Sequence, residues 1–488
     1  MIFLTAGKVI NASGRFILFK MLLFFILLYL TFNVLLGFWA SRRVNNTQDF
    51  LLAGRKLTLP MATAVVFATW FGSETLLGAS SEFAEKGLIG VIEDPFGAAL
   101  CLFLVGLFFA RKLYRMNLLT FGDFYRVRYN RQTELIASIF LVVSYFGWIA
   151  AQLVALGIIL NLVVNIPLIV GILLGFIVVV GYTYLGGMWS VSVTDFLQTI
   201  MIILGLLFVV GSLLIQFPFS EVMHQPPADF FRFTPVAKAY STEWINYFAM
   251  WITIGLGSIP QQDVFQRVMS SKSEKVAVYA SFMAGILYLT VAFMPLLISL
   301  YAKVLHPELM QQDTQLLLPV LILQQSSMWM KVLFFGALLS AIMSTASGAM
   351  LAPAAILSEN ILKPVYRNIT DKQLLHLSRV SVLLVAVVSL GFALLRSNIY
   401  ELVSESSALS LVSLFVPMVA GIYIPRTSSR AAFISMLAGM GVWLMALAVG
   451  TAINPLIYGL GASFLGLGLG LFWWPKLSGP IIKAEAFK

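Results

Sequence analysis

Residues 65–81 read Val-Val-Phe-Ala-Thr-Trp-Phe-Gly-Ser-Glu-Thr-Leu-Leu-Gly-Ala-Ser-Ser, an apolar run interrupted in its middle by a glutamate and a Gly/Ser/Thr cluster. A carboxylate at bilayer depth costs several kcal/mol, so Glu74 must face a cavity, a partner or a proton. A second interrupted run spans 251–263, Trp-Ile-Thr-Ile-Gly-Leu-Gly-Ser-Ile-Pro-Gln-Gln-Asp, where two glycines, a serine and a proline oppose an unbroken helix. About five apolar spans separate the two. Gly/Pro-interrupted segments at corresponding positions of two halves point to the inverted repeats of secondary transporters. There, unwound backbone leaves carbonyls and helix ends free to hold ions and solute near the midplane. A pair of kinked packing helices gives the same composition, because small residues also mediate close helix contact.

The rest of the chain places these segments in a membrane. Of 488 residues, 60% are hydrophobic and 11% charged, against roughly 25% charged in soluble domains. A soluble chain of this length cannot hide so much apolar surface. The runs are continuous over about 20 residues, which excludes a transmembrane barrel and predicts an all-α polytopic membrane protein. Thirteen spans are predicted, at roughly 17–40, 60–79, 88–110, 133–161, 166–185, 192–216, 244–262, 276–302, 330–357, 379–396, 400–424, 430–450 and 453–474. An odd number sets the termini on opposite sides. Of the 31 Lys and Arg, about 22 fall in the set of loops that includes the C-terminus, which predicts an outside N-terminus and a cytoplasmic C-terminus. The net charge of +10 is therefore read as topology, not as nucleic-acid binding. Short loops and the absence of a transit segment suggest a bacterial inner-membrane protein. The single cysteine, Cys101, forms no intrachain disulfide, and His224, His306 and His376, scattered in polar loops, spell no metal cluster or catalytic set. An intramembrane enzyme is therefore disfavoured.

Three further segments carry chemistry. Residues 336–350 read Gly-Ala-Leu-Leu-Ser-Ala-Ile-Met-Ser-Thr-Ala-Ser-Gly-Ala-Met. Ala341, Ser344 and Thr345 fall at i, i+3 and i+4 on one helical face. Two hydroxyls and a freed carbonyl make half the shell of a hard cation, which takes oxygens and no nitrogen. The same hydroxyls also suit bonding back to their own helix. Residues 186–198, Gly-Gly-Met-Trp-Ser-Val-Ser-Val-Thr-Asp-Phe-Leu-Gln, put Asp195 one turn inside the cytoplasmic face, as a helix-start charge or on an ion exit path. Glu93-Asp94-Pro95 either lines the pocket or stands in a solvated outer mouth.

Taken together these segments resemble the sodium/solute symporter family. The resemblance rests on Gly186-Gly187 through Thr194-Asp195-Phe196-x-Gln198, on Ser340-Ala341-Ile342-Met343-Ser344-Thr345, on the broken second span, on Pro260-x-x-x-x-Phe265-Gln266-Arg267 and on Glu359. It covers about residues 20–475. It implies a leucine-transporter-type five-plus-five inverted repeat, with an extra N-terminal helix at 17–40, a first repeat in 60–216, a second in 244–450 and a C-terminal helix at 453–474. It implies Na⁺ as coupling ion, held by the backbone oxygens of Gly72, Thr75 and Ala341 and the hydroxyls of Ser344 and Thr345, with Asp195 beside the exit route.

Within the family the choline-transporter-like branch is the nearest in appearance, through Ala68-Thr69-Trp70, Phe108-Phe109-Ala110 and Ile259-Pro260-x-Gln262-x-x-Phe265-Gln266-Arg267. Such carriers hold a quaternary ammonium in an aromatic cage, by cation–π attraction. Trp70 and Trp148 match two cage positions, and Gln261 stands where the cage has a further tryptophan. Glu74 stands where proline symporters carry an aspartate, so it touches sodium, solute or a proton. A cationic or amine-bearing solute is expected. Sugars stay open through Gln152, Gln261 and Gln262, as do amino acids and monocarboxylates. A proton-coupled or uncoupled carrier on the same fold is the rival reading.

Overall fold

The computed structural model describes residues 12–236, 240–366 and 368–475, and all regular elements among them are helices, apart from one parallel bridge between Leu57 and Ser271. Both chain termini, whose sides the basic loops predict, lie outside the described residues. Among the described residues ten helices are long and apolar enough to cross a membrane, where thirteen were expected. The difference arises at three places. The expected second and third spans run together in Glu74–Arg115. The expected fifth and sixth form one hydrogen-bonded helix, Leu168–Gln216, of 49 residues. The seventh, Ser241–Gly257, is only 17 residues long, short of the ~20 that a span needs.

The sequence signals for these breaks act where they were expected. At 1.5 Å per residue, the 49-residue helix would be about 74 Å long if straight. It bends at Gly187, with φ 50° and ψ −140°, a left-handed backbone open to glycine. The helix Leu59–Trp70 ends where Phe71 leaves helical geometry (φ −91°, ψ 77°), and a wide turn over Glu74–Gly78 leads into Ala79–Lys86. The seventh span breaks after Gly257 and restarts as Gln262–Ser270, with Pro260 between. Five helices open on Asn130, Ser273, Ser327, Thr370 and Ser428, whose side chains accept from the N–H three residues on and satisfy a donor that the helix itself leaves unpaired. His376 lies on the helix Asp371–Leu395 and not in a polar loop.

Burial separates an inner set of helices from an outer one. The most apolar window of Met328–Val365 is 83% buried, and that of Lys20–Ser41 only 22%. Large apolar side chains cover the outside, among them Phe24, Leu28 and Leu35 on the first helix and Phe464, Leu465 and Phe472 on the last. Such a surface needs lipid. The basic loops meet at one end of the bundle. Arg55 donates to Asn117 and to the Leu118 carbonyl (2.9 Å), Arg128 to the Gly421 carbonyl (2.7 Å), and Arg131 to the Asn360 carbonyl (2.9 Å).

Candidate ion and solute site

The break after Trp70 lies against the most buried helix. The last backbone bond of Leu59–Trp70 runs from Phe71 N to Phe67 O. The next carbonyl, that of Ala68, accepts from two side chains instead, Ser344 Oγ at 3.0 Å and Thr345 Oγ1 at 3.1 Å. Ser344 Oγ also lies 2.6 Å from Asp195 Oδ1. The other Asp195 oxygen is buried with no hydrogen-bond partner among the described residues. Asp195 is thus fully buried and turned toward Ser344, and is no exposed helix cap.

The expected backbone ligands lie on the segments that border this cluster. The Gly72 carbonyl accepts from Leu76 N at 3.2 Å. Thr75 turns its hydroxyl to Asp94 (2.8 Å). Ala341 is buried one turn before Ser344. Gly72 nevertheless matters, because a Cβ there would stand 2.6 Å from Thr345 Oγ1 and 2.5 Å from Glu74 Oε2; glycine lets the two helices approach. A helix bonds N–H of residue i to the carbonyl of i−4, so a break at Phe71–Ser73 frees carbonyls one turn earlier, at Ala68.

Beside this cluster Trp70, Glu74, Asp94, Trp148, Gln261 and Tyr288 line a narrow cavity. Its free volume is about 20 Å³, room for one water, so an organic solute enters only if these walls move. Trp148 Nε1 donates to Glu74 Oε1 (3.0 Å) and Gln152 Nε2 to Glu74 Oε2 (2.7 Å). Gln152 Oε1 accepts from Ser73 N (3.0 Å), so both ends of this amide are engaged. Trp70 Nε1 donates to Asp263 Oδ2 (3.1 Å), and Tyr145, stacked on Trp148, donates to Asp263 Oδ1 (2.5 Å). Arg267 lies beside this aspartate, donating to Thr69 Oγ1 (3.0 Å). Neither Glu74 nor Asp94 has a basic side chain within ion-pair distance among the described residues.

The remaining expected residues divide. Gln261 lines the cavity and donates to Ser410 Oγ (3.1 Å). Gln262 does not; its Oε1 accepts from Phe121 N (2.7 Å) at the start of the helix Phe121–Arg128. Glu93 and Asp94 are 7% and 1% exposed, which removes the solvated mouth. Asp94 faces the cavity, and Glu93 accepts from Ser404 (2.8 Å). Sequence reasoning missed Ala68, Asp263 and Tyr288. Asp263 ended the second interrupted run and carried a signal. A lone tyrosine in an apolar helix carried none.

The chain is similar to known membrane transporters. The human high affinity choline transporter 1 is 25% identical over 442 residues, covering 85% of this chain and 75% of that protein. Its Caenorhabditis elegans counterpart is 26% identical over 454 residues, covering 86% and 75%. The sodium/glucose cotransporter of Vibrio parahaemolyticus is 22% identical over 456 residues, covering 85% and 82%. Among solved structures, a Na⁺-coupled sialic acid symporter superposes with a TM-score of 0.82 at 18% identity, covering 95% of this chain and 99% of that one. A nucleobase-cation-symport-1 family transporter gives 0.62 at 17% identity, covering 90% and 98%. These likenesses fix the fold as that of leucine-transporter-type carriers. The profile of the sodium:solute symporter family matches residues 50–439, and the chain belongs to that family.

Proposed function

We propose that the protein is a secondary active symporter that couples inward Na⁺ movement to uptake of a small organic cation by alternating access. The observation that carries the solute class is the pairing of two carboxylates, Glu74 and Asp94, with two tryptophans, Trp70 and Trp148, around one buried cavity. A buried carboxylate without a basic neighbour favours a positive guest, and tryptophan faces add cation–π attraction. The similarity to choline transporters supports the same class. The sugar reading is weaker: of the three glutamines expected to meet hydroxyls, Gln152 is fully engaged and Gln262 lies elsewhere, so only Gln261 lines the cavity.

Sodium binds where the Ala68 carbonyl meets the Ser344 and Thr345 hydroxyls, with Gly72, Ala341 and the Thr75 backbone next to it. Asp195 takes the ion from Ser344 as it leaves toward the cytoplasm. The thirteen expected spans arise by dividing Leu168–Gln216 at Gly187, separating the joined second and third spans, and counting the broken seventh. Their five-plus-five arrangement places the breaks at Phe71–Ser73 and Ser258–Gln261 in equivalent first helices. The N-terminus lies outside and the C-terminus in the cytoplasm, in a bacterial inner membrane. One charge moving down 100 mV yields about 2.3 kcal/mol, enough for more than a tenfold concentration of solute at 1.4 kcal/mol per decade.

The test is thermal stability of the purified protein with quaternary ammonium, primary amine, sugar and carboxylate solutes, each in Na⁺ and in K⁺. Bound ligand stabilises by RT ln(1 + [L]/Kd). Stabilisation by an ammonium solute, larger in Na⁺, is expected. Stabilisation by sugars or carboxylates alone overturns the solute class, and indifference to Na⁺ overturns the coupling.

A further inference from the structure

Arg267 is a buried charge to which the ion and solute reading gives no task. It stands on the helix Gln262–Ser270, the second half of the broken seventh span, and is 2% exposed. No carboxylate lies within 4 Å of its guanidinium among the described residues. Nε donates to Thr69 Oγ1 (3.0 Å), and Nη1 makes two long contacts, to Gln266 Oε1 (3.3 Å) and to the Asp263 carbonyl (3.5 Å). Nη2 is buried with no partner among the described residues. It rests against Gly348, where a Cβ would collide with it. Gly348 follows Ser344 by one turn on the helix Met328–Ile356. Ser344 in turn holds Asp195 by Oδ1 (2.6 Å) and leaves Asp195 Oδ2 as the second buried orphan. Asp195 and Arg267 are close enough for each to act on the other's charge.

An unpaired guanidinium donor and an unpaired carboxylate oxygen each cost free energy when buried, and one movement satisfies both. We propose that Arg267 is the internal cation of the sodium path: Nη2 turns to Asp195 Oδ2 once sodium has passed, and sodium returning to Ser344 and Thr345 displaces it. The inference rests on the sodium coupling and on the exit role of Asp195 proposed above. The two cations exclude each other, because Ser344 Oγ lies 2.6 Å from Asp195 Oδ1 and like charges this close repel strongly in a buried site. Where Ser344, Thr345 and the Ala68 carbonyl converge, as here, the pair is open. The bond from Nε to Thr69 is the pivot, and the long contacts of Nη1 are those given up. Thr69 is next to Ala68, so the pivot moves with the segment that carries the ion's carbonyl. The pair gives the empty carrier the counter-charge that sodium gives the loaded one. Asp195 is then never a lone buried charge while the carrier turns back.

Equilibrium binding of radioactive ²²Na⁺ to the purified full-length chain tests this. A competitor that fills the site in part of the molecules weakens binding by that fraction, so removing it tightens binding. Arg267→Gln is expected to bind sodium at least about fivefold more tightly than wild type, whereas loss of a merely structural support would weaken binding. Arg267→Lys is the safer variant, because it keeps a charge beside Asp263. Its one nitrogen stops near the place of the guanidinium carbon, short of Nη2, so tighter binding is expected there too. In an Asp195→Asn background neither change at Arg267 should alter sodium affinity. The same tightening in that background would show a repulsion that needs no pair, and overturns the inference. Tightening in Arg267→Gln but not in Arg267→Lys shows the same and overturns it as well. Unchanged or weaker sodium binding in folded Arg267→Lys overturns it while leaving sodium coupling intact. No sodium binding by wild type overturns the coupling and this inference together.

Discussion

Ser344 has one proton and two acceptors, Asp195 Oδ1 at 2.6 Å and the Ala68 carbonyl at 3.0 Å, a shortage of protons that the proposed sodium ion would relieve. Removing either hydroxyl, by Ser344→Ala or Thr345→Ala, takes one oxygen from the shell, worth about 1–3 kcal/mol where it is buried and unreplaced. Apparent sodium affinity should fall roughly 5- to 150-fold, read as the sodium concentration that half-saturates uptake at normal expression. Unchanged sodium dependence in both variants would mean the ion sits elsewhere. Glu74 tests the solute. Both of its oxygens accept, from Trp148 and Gln152, and a glutamine would turn its own donor against one of them. For a cationic solute, Glu74→Gln should weaken solute binding at least tenfold, about 1.4 kcal/mol, while sodium binding at Ser344 persists. A shift confined to sodium or proton dependence would point to a neutral solute. At this scale the sequence showed which side chains matter wherever polarity was out of place, as at Glu74, Asp195, Ser344 and Thr345. It could not show Ala68, because a freed carbonyl has no side-chain signature and its place depends on which residue leaves helical geometry.

Helix breaks were the legible part of the fold, and helix counts were not. Glycine, proline and serine clusters act locally through backbone geometry, so Gly187 and the 258–261 break could be read directly. Whether hydrogen bonding carries across a bend depends on tertiary packing, which is why Leu168–Gln216 reads as one helix. The seventh span shows how such a break is held. Its Gly257 lies against the segment Ile399–Ser410: a Cβ at 257 would stand 2.4 Å from the Ser407 carbonyl, and Ser410 Oγ donates to the Gly257 carbonyl at 2.6 Å. Gly257→Ala therefore forces backbone apart, and overpacking of this kind costs about 1–3 kcal/mol. The expected outcome is a lower thermal midpoint together with weaker solute binding, because Ser258, Gln261, Ser406 and Ser407 line the cavity on both sides of this contact. A normal midpoint with normal affinity would show that the two segments are free to separate at no cost.

On the scale of the whole molecule, the charge distribution makes a prediction that needs no solute. The loops that gather the most Lys and Arg meet at one end of the bundle, with Arg111 and Arg115 on Glu274 and Arg131 on Glu134. The opposite end holds Glu82, Glu85 and Asp313 around an acidic recess. Cytoplasmic loops collect basic residues, so the first end is expected to face the cytoplasm and the acidic recess to face outward, where it would attract the proposed cations toward Glu74. The chain is suited to a direct check, because its one cysteine, Cys101, is buried. Gln312→Cys and Lys272→Cys place single exposed thiols at opposite ends. A membrane-impermeant maleimide should label the 312 variant in intact cells and the 272 variant only after the membrane is opened. The reverse pattern would invert the assignment of both faces, and with it the direction in which Asp195 hands the ion on. Labelling of both in intact cells would mean that the two loops share a side, and would break the span count between them.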